Sequence, residues 1–156
     1  MRAIPGALLR AGVGAVVGCV LFGLVALVGL GFAEDAYAGR ERSAVRMGFL
    51  GGAVILAVPG ALAIVQMYSD RERWSPIART VALLPGAAIG ALGGVAALIL
   101  GWSISWLLQL AGAQGPTEPW FQIVLGGTVI GAALGITGLG RRRRKEAEVD
   151  VRRRRR

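Results

Sequence analysis

Apolar residues fall into four runs along this chain, each free of Asp, Glu, Lys and Arg, with charge kept to the segments between and beyond them. The runs cover about residues 11–32, 47–68, 81–102 and 121–140. A helix needs roughly 20 apolar residues to cross the hydrocarbon core of a bilayer, and all four runs meet that length. The pattern predicts an all-α, polytopic membrane protein with four transmembrane helices. Local signals mark the ends. Arg10 precedes the first run, Arg46 and Asp70 bracket the second, and Arg141 stops the fourth. Ser75 and Pro76 offer an N-cap with proline at the first helical position, so the third helix starts there and enters lipid near Val81. Pro59 removes a hydrogen bond in the middle of the second run and predicts a kink. Beyond the third run, residues 103–112 read as a short interfacial helix. Ile104, Leu107 and Leu108 would dip inward, and Ser103, Ser105 and Gln109 would meet water.

Two of the runs repeat. Leu50 to Gly60 and Leu125 to Gly135 agree at seven of eleven positions, seventy-five residues apart. Gly14-Ala15-Val16-Val17-Gly18 matches Gly86-Ala87-Ala88-Ile89-Gly90 at an offset of seventy-two. The order and spacing of both matches predict a duplicated two-helix hairpin, with halves at about 1–68 and 76–140. Two hairpins of equal orientation form the parallel class of membrane repeat, related by a pseudo-two-fold axis along the membrane normal.

Composition sharpens the membrane reading. Hydrophobic residues make up 54% of the 156 and charged residues only 17%, against about a quarter charged in soluble domains. The chain holds 25 glycines. Helices surrounded by acyl chains associate through close van der Waals contact, which small residues permit. Glycines four apart share one face: Gly14 and Gly18, Gly48 and Gly52, Gly86, Gly90 and Gly94, and Gly127, Gly131 and Gly135. These ten form the predicted helix-packing set, a glycine zipper that serves a four-helix bundle, a homo-oligomer or another membrane protein.

The formal charge of +9 is concentrated in one segment. Residues 141–156 carry ten basic and three acidic groups and form a predicted unstructured tail. The bias of Lys and Arg toward cytoplasmic loops puts that tail, the N-terminus and the 69–79 loop on the cytoplasmic side. Residues 33–46, with Arg40, Arg42 and Arg46, disagree with this assignment but also carry Glu34, Asp35 and Glu41. Trp102, Trp106 and Trp120 gather at the predicted outer boundary, and Tyr68 and Trp74 at the inner one, as aromatic belts do. Arg141, Arg142, Arg143, Arg144 and Lys145 are candidates for contact with anionic lipid headgroups. Nucleic acid is disfavoured, since no aromatic residues are interleaved for stacking. Ala36-Tyr37-Ala38 has the form of a signal-peptidase site, but the first run exceeds the usual 7–15 residues of a secretory apolar region. A retained first helix is therefore expected. Arg outnumbers Lys seventeen to one, a bias that suggests a bacterial source and its plasma membrane.

Candidate chemistry is sparse. The sequence has no His and one Cys, which excludes internal disulfides and His/Cys metal sites. No carboxylate lies within a span, so an intramembrane proton or ion relay is not expected. Ser103 and Ser105 have no base nearby. Cys19 reads as a small packing residue, and Thr128 and Thr137 as helix residues that bond to a carbonyl one turn back. Catalytic, cofactor and metal residues are all read as none. The expected function is a packing or interaction module, or an accessory subunit of a membrane complex. An oligomeric channel or transporter is the alternative, with a membrane enzyme behind it.

Overall fold

The computed structural model describes residues 3–33, 40–68 and 76–154. Its regular structure is helical: α1 (Ala3–Phe32), α2 (Arg40–Ile55), α3 (Ala57–Tyr68), α4 (Pro76–Val81), α5 (Leu83–Leu110) and α6 (Pro119–Arg154). Three stretches are long and apolar enough to cross a membrane: Gly6–Phe32, Leu83–Leu110 and Pro119–Thr137. A fourth crossing exists if α2 and α3, bent by 52° at a short break, count as one span. The protein is thus all-helical with three or four helices fit to span a membrane.

Proline sets the breaks. Pro59 has no N–H for the Ile55 carbonyl, and its ring crowds that oxygen. The helix accordingly opens at Leu56, three residues ahead of the proline. It is re-entered at once, with Leu56 N–H donating to Gly52 O at 2.9 Å and Gly60 N–H to Leu56 O at 2.8 Å. Pro85 has the same effect on the Val81 carbonyl, and the interruption at Ala82, again three residues ahead, separates α4 from α5. The kink at Pro59 was legible in the sequence; the interruption ahead of Pro85 was not foreseen.

The third span does not stop near Trp102. α5 continues unbroken to Leu110, so the expected interfacial helix over 103–112 is the last two turns of a long helix. Ser103 and Ser105 donate to Ile99 O and Gly101 O at 2.8 and 2.9 Å, which lets the hydroxyls ride inside the helix. Ser105, expected to meet water, is buried. Glycine ends the helix: Gly112 has φ +79°, a left-handed conformation that costs a residue without Cβ nothing. There Ala113 N–H reaches Leu108 O and Gly112 N–H reaches Gln109 O, the two bonds of a Schellman stop. Pro119 then opens α6 at its first position, where the missing donor is not needed.

α6 extends to Arg154, so helical backbone covers much of the segment read as an unstructured tail. Arg, Lys, Glu and Ala are good helix formers, and neither Gly nor Pro follows Gly140 to interrupt them.

The long helices form a ring. α1 lies against α2 and α6, and α5 against α2, α3 and α6; the diagonal pairs barely touch. Phe22, Val25, Ala26, Ala44, Met47, Ala97, Leu98 and Ile123 fill the centre. The perimeter is strongly apolar, with Leu9, Ile77, Leu84, Leu92 and Leu27 all about 70% exposed or close to it. A continuous apolar surface of that kind is foreign to soluble monomers and suits contact with acyl chains. Cys19, read from sequence as a packing residue, is exposed on this perimeter, because the contact faces of α1 belong to Gly14, Gly18, Phe22, Val25 and Gly29.

Candidate functional site

All ten glycines of the packing set lie against another helix. A Cβ built on Gly14 would meet the Gly131 carbonyl and, at 3.0 Å, Gly135 Cα; one on Gly18 would meet the Gly127 carbonyl. From the opposite side, Gly131 faces Gly14 and Gly18, Gly135 faces Arg10 O and Gly14, and Gly127 faces the Phe22 side chain. These contacts join α1 to α6. On α2 and α5, Gly48 faces Gly94 at 3.1 Å, Gly52 faces Gly90 and Gly94, and Gly86 faces Ala57 and Ala61 of α3. In almost every case the obstacle is backbone, so no rotamer change would make room. Gly60, also outside the set, joins α3 to α5 against Gly86; four others in the helices that the sequence missed are Gly29 against Met47, Gly51 against Val25, Gly101 against Gln122 and Gly126 against Ala97. They join α1 to α2 and α5 to α6. Their spacing of about twenty-five residues within a hairpin gives no four-residue signature.

Not every glycine is used. Gly12, Gly23 and Gly31 have open space where a Cβ would sit. The packing glycines therefore serve contacts within one chain, and those without a neighbour lie elsewhere on α1.

Hydroxyl groups behave as the sequence reading expected in the fourth span. Thr128 Oγ1 donates to Val124 O at 2.7 Å and Thr137 Oγ1 to Ala133 O at 2.9 Å. Arg141 to Lys145 have helical backbone, and their side chains lie outside the described ones. Glu34, Asp35, Trp74 and the 69–75 loop are likewise outside the described residues.

The chemically mixed feature of the molecule is a cavity of about 470 Å³ where α2 begins, α5 ends and α6 starts. We call this the Gln122 end, and the opposite one the Arg10 end. Ala44, Val45, Leu98 and Ile99 give the cavity an apolar side, and Trp102 and Trp106 stand one turn apart on α5. Glu41 comes from the first turn of α2 and Glu118 from the residue ahead of α6. Gln122, buried one turn inside α6, donates through Nε2 to Pro116 O at 3.2 Å and to Thr117 O at 3.5 Å. It thereby ties the 113–118 connection to the bundle and fixes one wall. Trp120 and Phe121 stack edge to face beside it, ring centroids 5.1 Å apart. Sequence reading gave Trp102, Trp106 and Glu41 other roles and passed over Glu118 and Gln122. Only the chain's return brings 41–45, 98–109 and 117–122 together. Among the described residues no group of three or more His, Cys, Asp or Glu gathers as metal ligands would.

These features define a class: an all-helical bundle with an apolar perimeter, glycine-lined interfaces and a chemically mixed cavity at one end. Comparison with protein-family models, curated proteins and solved structures finds no match.

Proposed function

We propose that this chain is a multi-pass membrane protein that works by binding, as an interaction module or accessory subunit of a membrane complex, and not as a catalyst. The observation that carries this reading is the filled interior. Glycine and alanine backbone closes the interfaces between helices, and Phe22, Val25, Met47, Leu98 and Ile123 occupy the centre. The buried polar side chains among the described residues, Ser105 and Gln122, sit at one end and bond to nearby carbonyls. That leaves the perimeter and the end cavity as working surfaces.

The bundle is further read as a duplicated hairpin. Contacts recur at the two offsets found in the sequence. Gly29 with Met47 has its counterpart in Gly101 with Gln122, and Gly51 with Val25 in Gly126 with Ala97. Gly18 with Gly127 corresponds to Gly90 with Gly52, and Gly135 with Gly14 to Gly60 with Gly86. Each first-helix residue shifts by seventy-two and each second-helix residue by seventy-five. The same swap keeps ring order, as a two-fold axis through the bundle requires. Chance similarity between Gly/Ala/Val helices would not conserve who touches whom.

In this reading the Arg10 end faces the cytoplasm of a bacterial plasma membrane, where basic residues accumulate. The segment Arg141–Lys145 then lies against anionic headgroups. Affinity purification of the tagged chain in mild detergent tests the proposal. A partner, or a second copy of the chain, co-eluting at fixed stoichiometry supports it. A lone monomer whose reconstitution gives ion conductance in planar bilayers contradicts it and favours the channel.

A further inference from the structure

The cavity at the Gln122 end has a specific electrostatic character. Two carboxylates, Glu41 and Glu118, reach it from different elements, and among the described residues neither Lys nor Arg lines it. Its hydrogen-bond donors are partly committed elsewhere, since Ser105 donates to Gly101 and Gln122 to the 116–117 carbonyls. What faces an incoming group is negative charge together with the indoles of Trp102 and Trp106, each more than half exposed. A cation over an indole is attracted by the ring quadrupole, and aromatic cages with carboxylates suit ammonium groups for that reason. An anion would meet repulsion from both glutamates.

The cavity also has an apolar exit. Val45 and Ile99 line it and are themselves half exposed on the perimeter, so its apolar side runs out onto the surface assigned to lipid. A ligand with only a charged head would leave that side unfilled. About 470 Å³ falls within the range of small-molecule sites. It takes a headgroup and the first part of a chain. Trp102 and Trp106 stand near the end of α5, at the level where aromatic belts meet headgroups.

We propose that this cavity binds an amphiphile bearing an ammonium group, the cation between Glu41, Glu118 and the two indoles, and its alkyl chain leaving past Val45 and Ile99 into the bilayer. The proposal rests on the membrane reading of the helices and is independent of the accessory-subunit reading. Two sources share this chemistry: an aminophospholipid of the surrounding membrane and a free organic cation.

The test uses the intact chain in dodecyl maltoside with W74F and W120F, so that fluorescence reports Trp102 and Trp106. One arm titrates octyltrimethylammonium against octyl sulfate and octanol, which match it in chain length. A second arm titrates dioctanoyl phosphatidylethanolamine against dioctanoyl phosphatidylglycerol. The expected result is a saturable response to at least one ammonium ligand, absent with the sulfate, the alcohol and the phosphatidylglycerol. E41Q/E118Q should weaken it about tenfold or more, with helix content by circular dichroism unchanged. A response in the first arm alone supports a free cation as ligand, and a response to phosphatidylethanolamine supports a lipid. Response to neither overturns the proposal, as does equal binding of octyl sulfate or undiminished affinity in E41Q/E118Q. Failure of the membrane reading would show separately, as a chain monodisperse in buffer without detergent.

Discussion

The contact of α1 with α6 and that of α2 and α3 with α5 occupy equivalent places in the ring, yet they are built differently. Along α2, α3 and α5, backbone meets backbone at three levels, Gly48 with Gly94, Gly52 with Gly90 and Gly60 with Gly86. Along α1 and α6 the close approach holds at Gly14, Gly18, Gly131 and Gly135. The Phe22 side chain then stands against Gly127, where the counterpart pair, Gly94 and Gly52, has no side chain between. Straight helices that cross at an angle touch over a limited length. The α1–α6 pair contains no proline at the crossing and sets a phenyl ring against Gly127. The other pair keeps backbone contact on both sides of its break at Leu56, at Gly48 and Gly52 before it and at Gly60 after it. A glycine seam can thus run past a bend in the backbone or take in a side chain, and this molecule does both.

The largest expected effect comes from removing the inserted ring. Phe22→Ala should lower stability by about 3 kcal/mol, measured as reversible unfolding in mixed micelles. A loss below about 1 kcal/mol would mean that the ring does not separate α1 from α6. Next is Gly52→Ala, whose new Cβ would meet the Gly90 carbonyl and, at 3.2 Å, Gly94 Cα. A cost of about 2 kcal/mol is expected, in the range for overpacking. Pro59→Leu installs the residue that stands at the equivalent place in α6, Leu134. It should straighten the second span and move Leu62 by up to roughly 8 Å. Spin labels at Leu62 and Leu92 would read that shift, and an unchanged distance would assign the bend to something other than Pro59. The smallest effect is at Gly23, where a Cβ meets nothing. Gly23→Ala should leave stability unchanged or raise it by less than about 1 kcal/mol, since alanine is the better helix former.

What the sequence revealed follows from what is local. The long apolar helices, the bend at Pro59 and the Thr128 hydroxyl bond depend on residues within a turn or two and were legible. The four-residue spacing of the glycines is local in the same way, because one face of one helix carries it. Pro85 was equally local, close behind the expected entry of the third span near Val81, and was passed over. Gly112 was overlooked as a helix stop, and the polar Ser103 and Ser105 suggested a surface helix that carbonyl bonding made unnecessary. The Gly29–Met47 and Gly101–Gln122 contacts, and the cavity at Glu41 and Glu118, need three-dimensional return of the chain. No periodicity along one helix announces them. If the proposed duplication holds, its offsets carry half of that information, since they say which contacts must come in pairs, without saying which exist.

Four outward positions test the proposed two-fold bundle most directly. Val20 and Leu92 are seventy-two residues apart, Val54 and Val129 seventy-five, and all four are exposed. Spin labels would be placed pairwise at these sites in intact chain carrying Cys19→Ser, in lipid nanodiscs. Two-fold symmetry requires that the Val20–Val54 distance equal Leu92–Val129, that Val20–Val129 equal Val54–Leu92, and that the diagonals Val20–Leu92 and Val54–Val129 be longest. Unequal partners within either pair, or a diagonal shorter than a side, would contradict it.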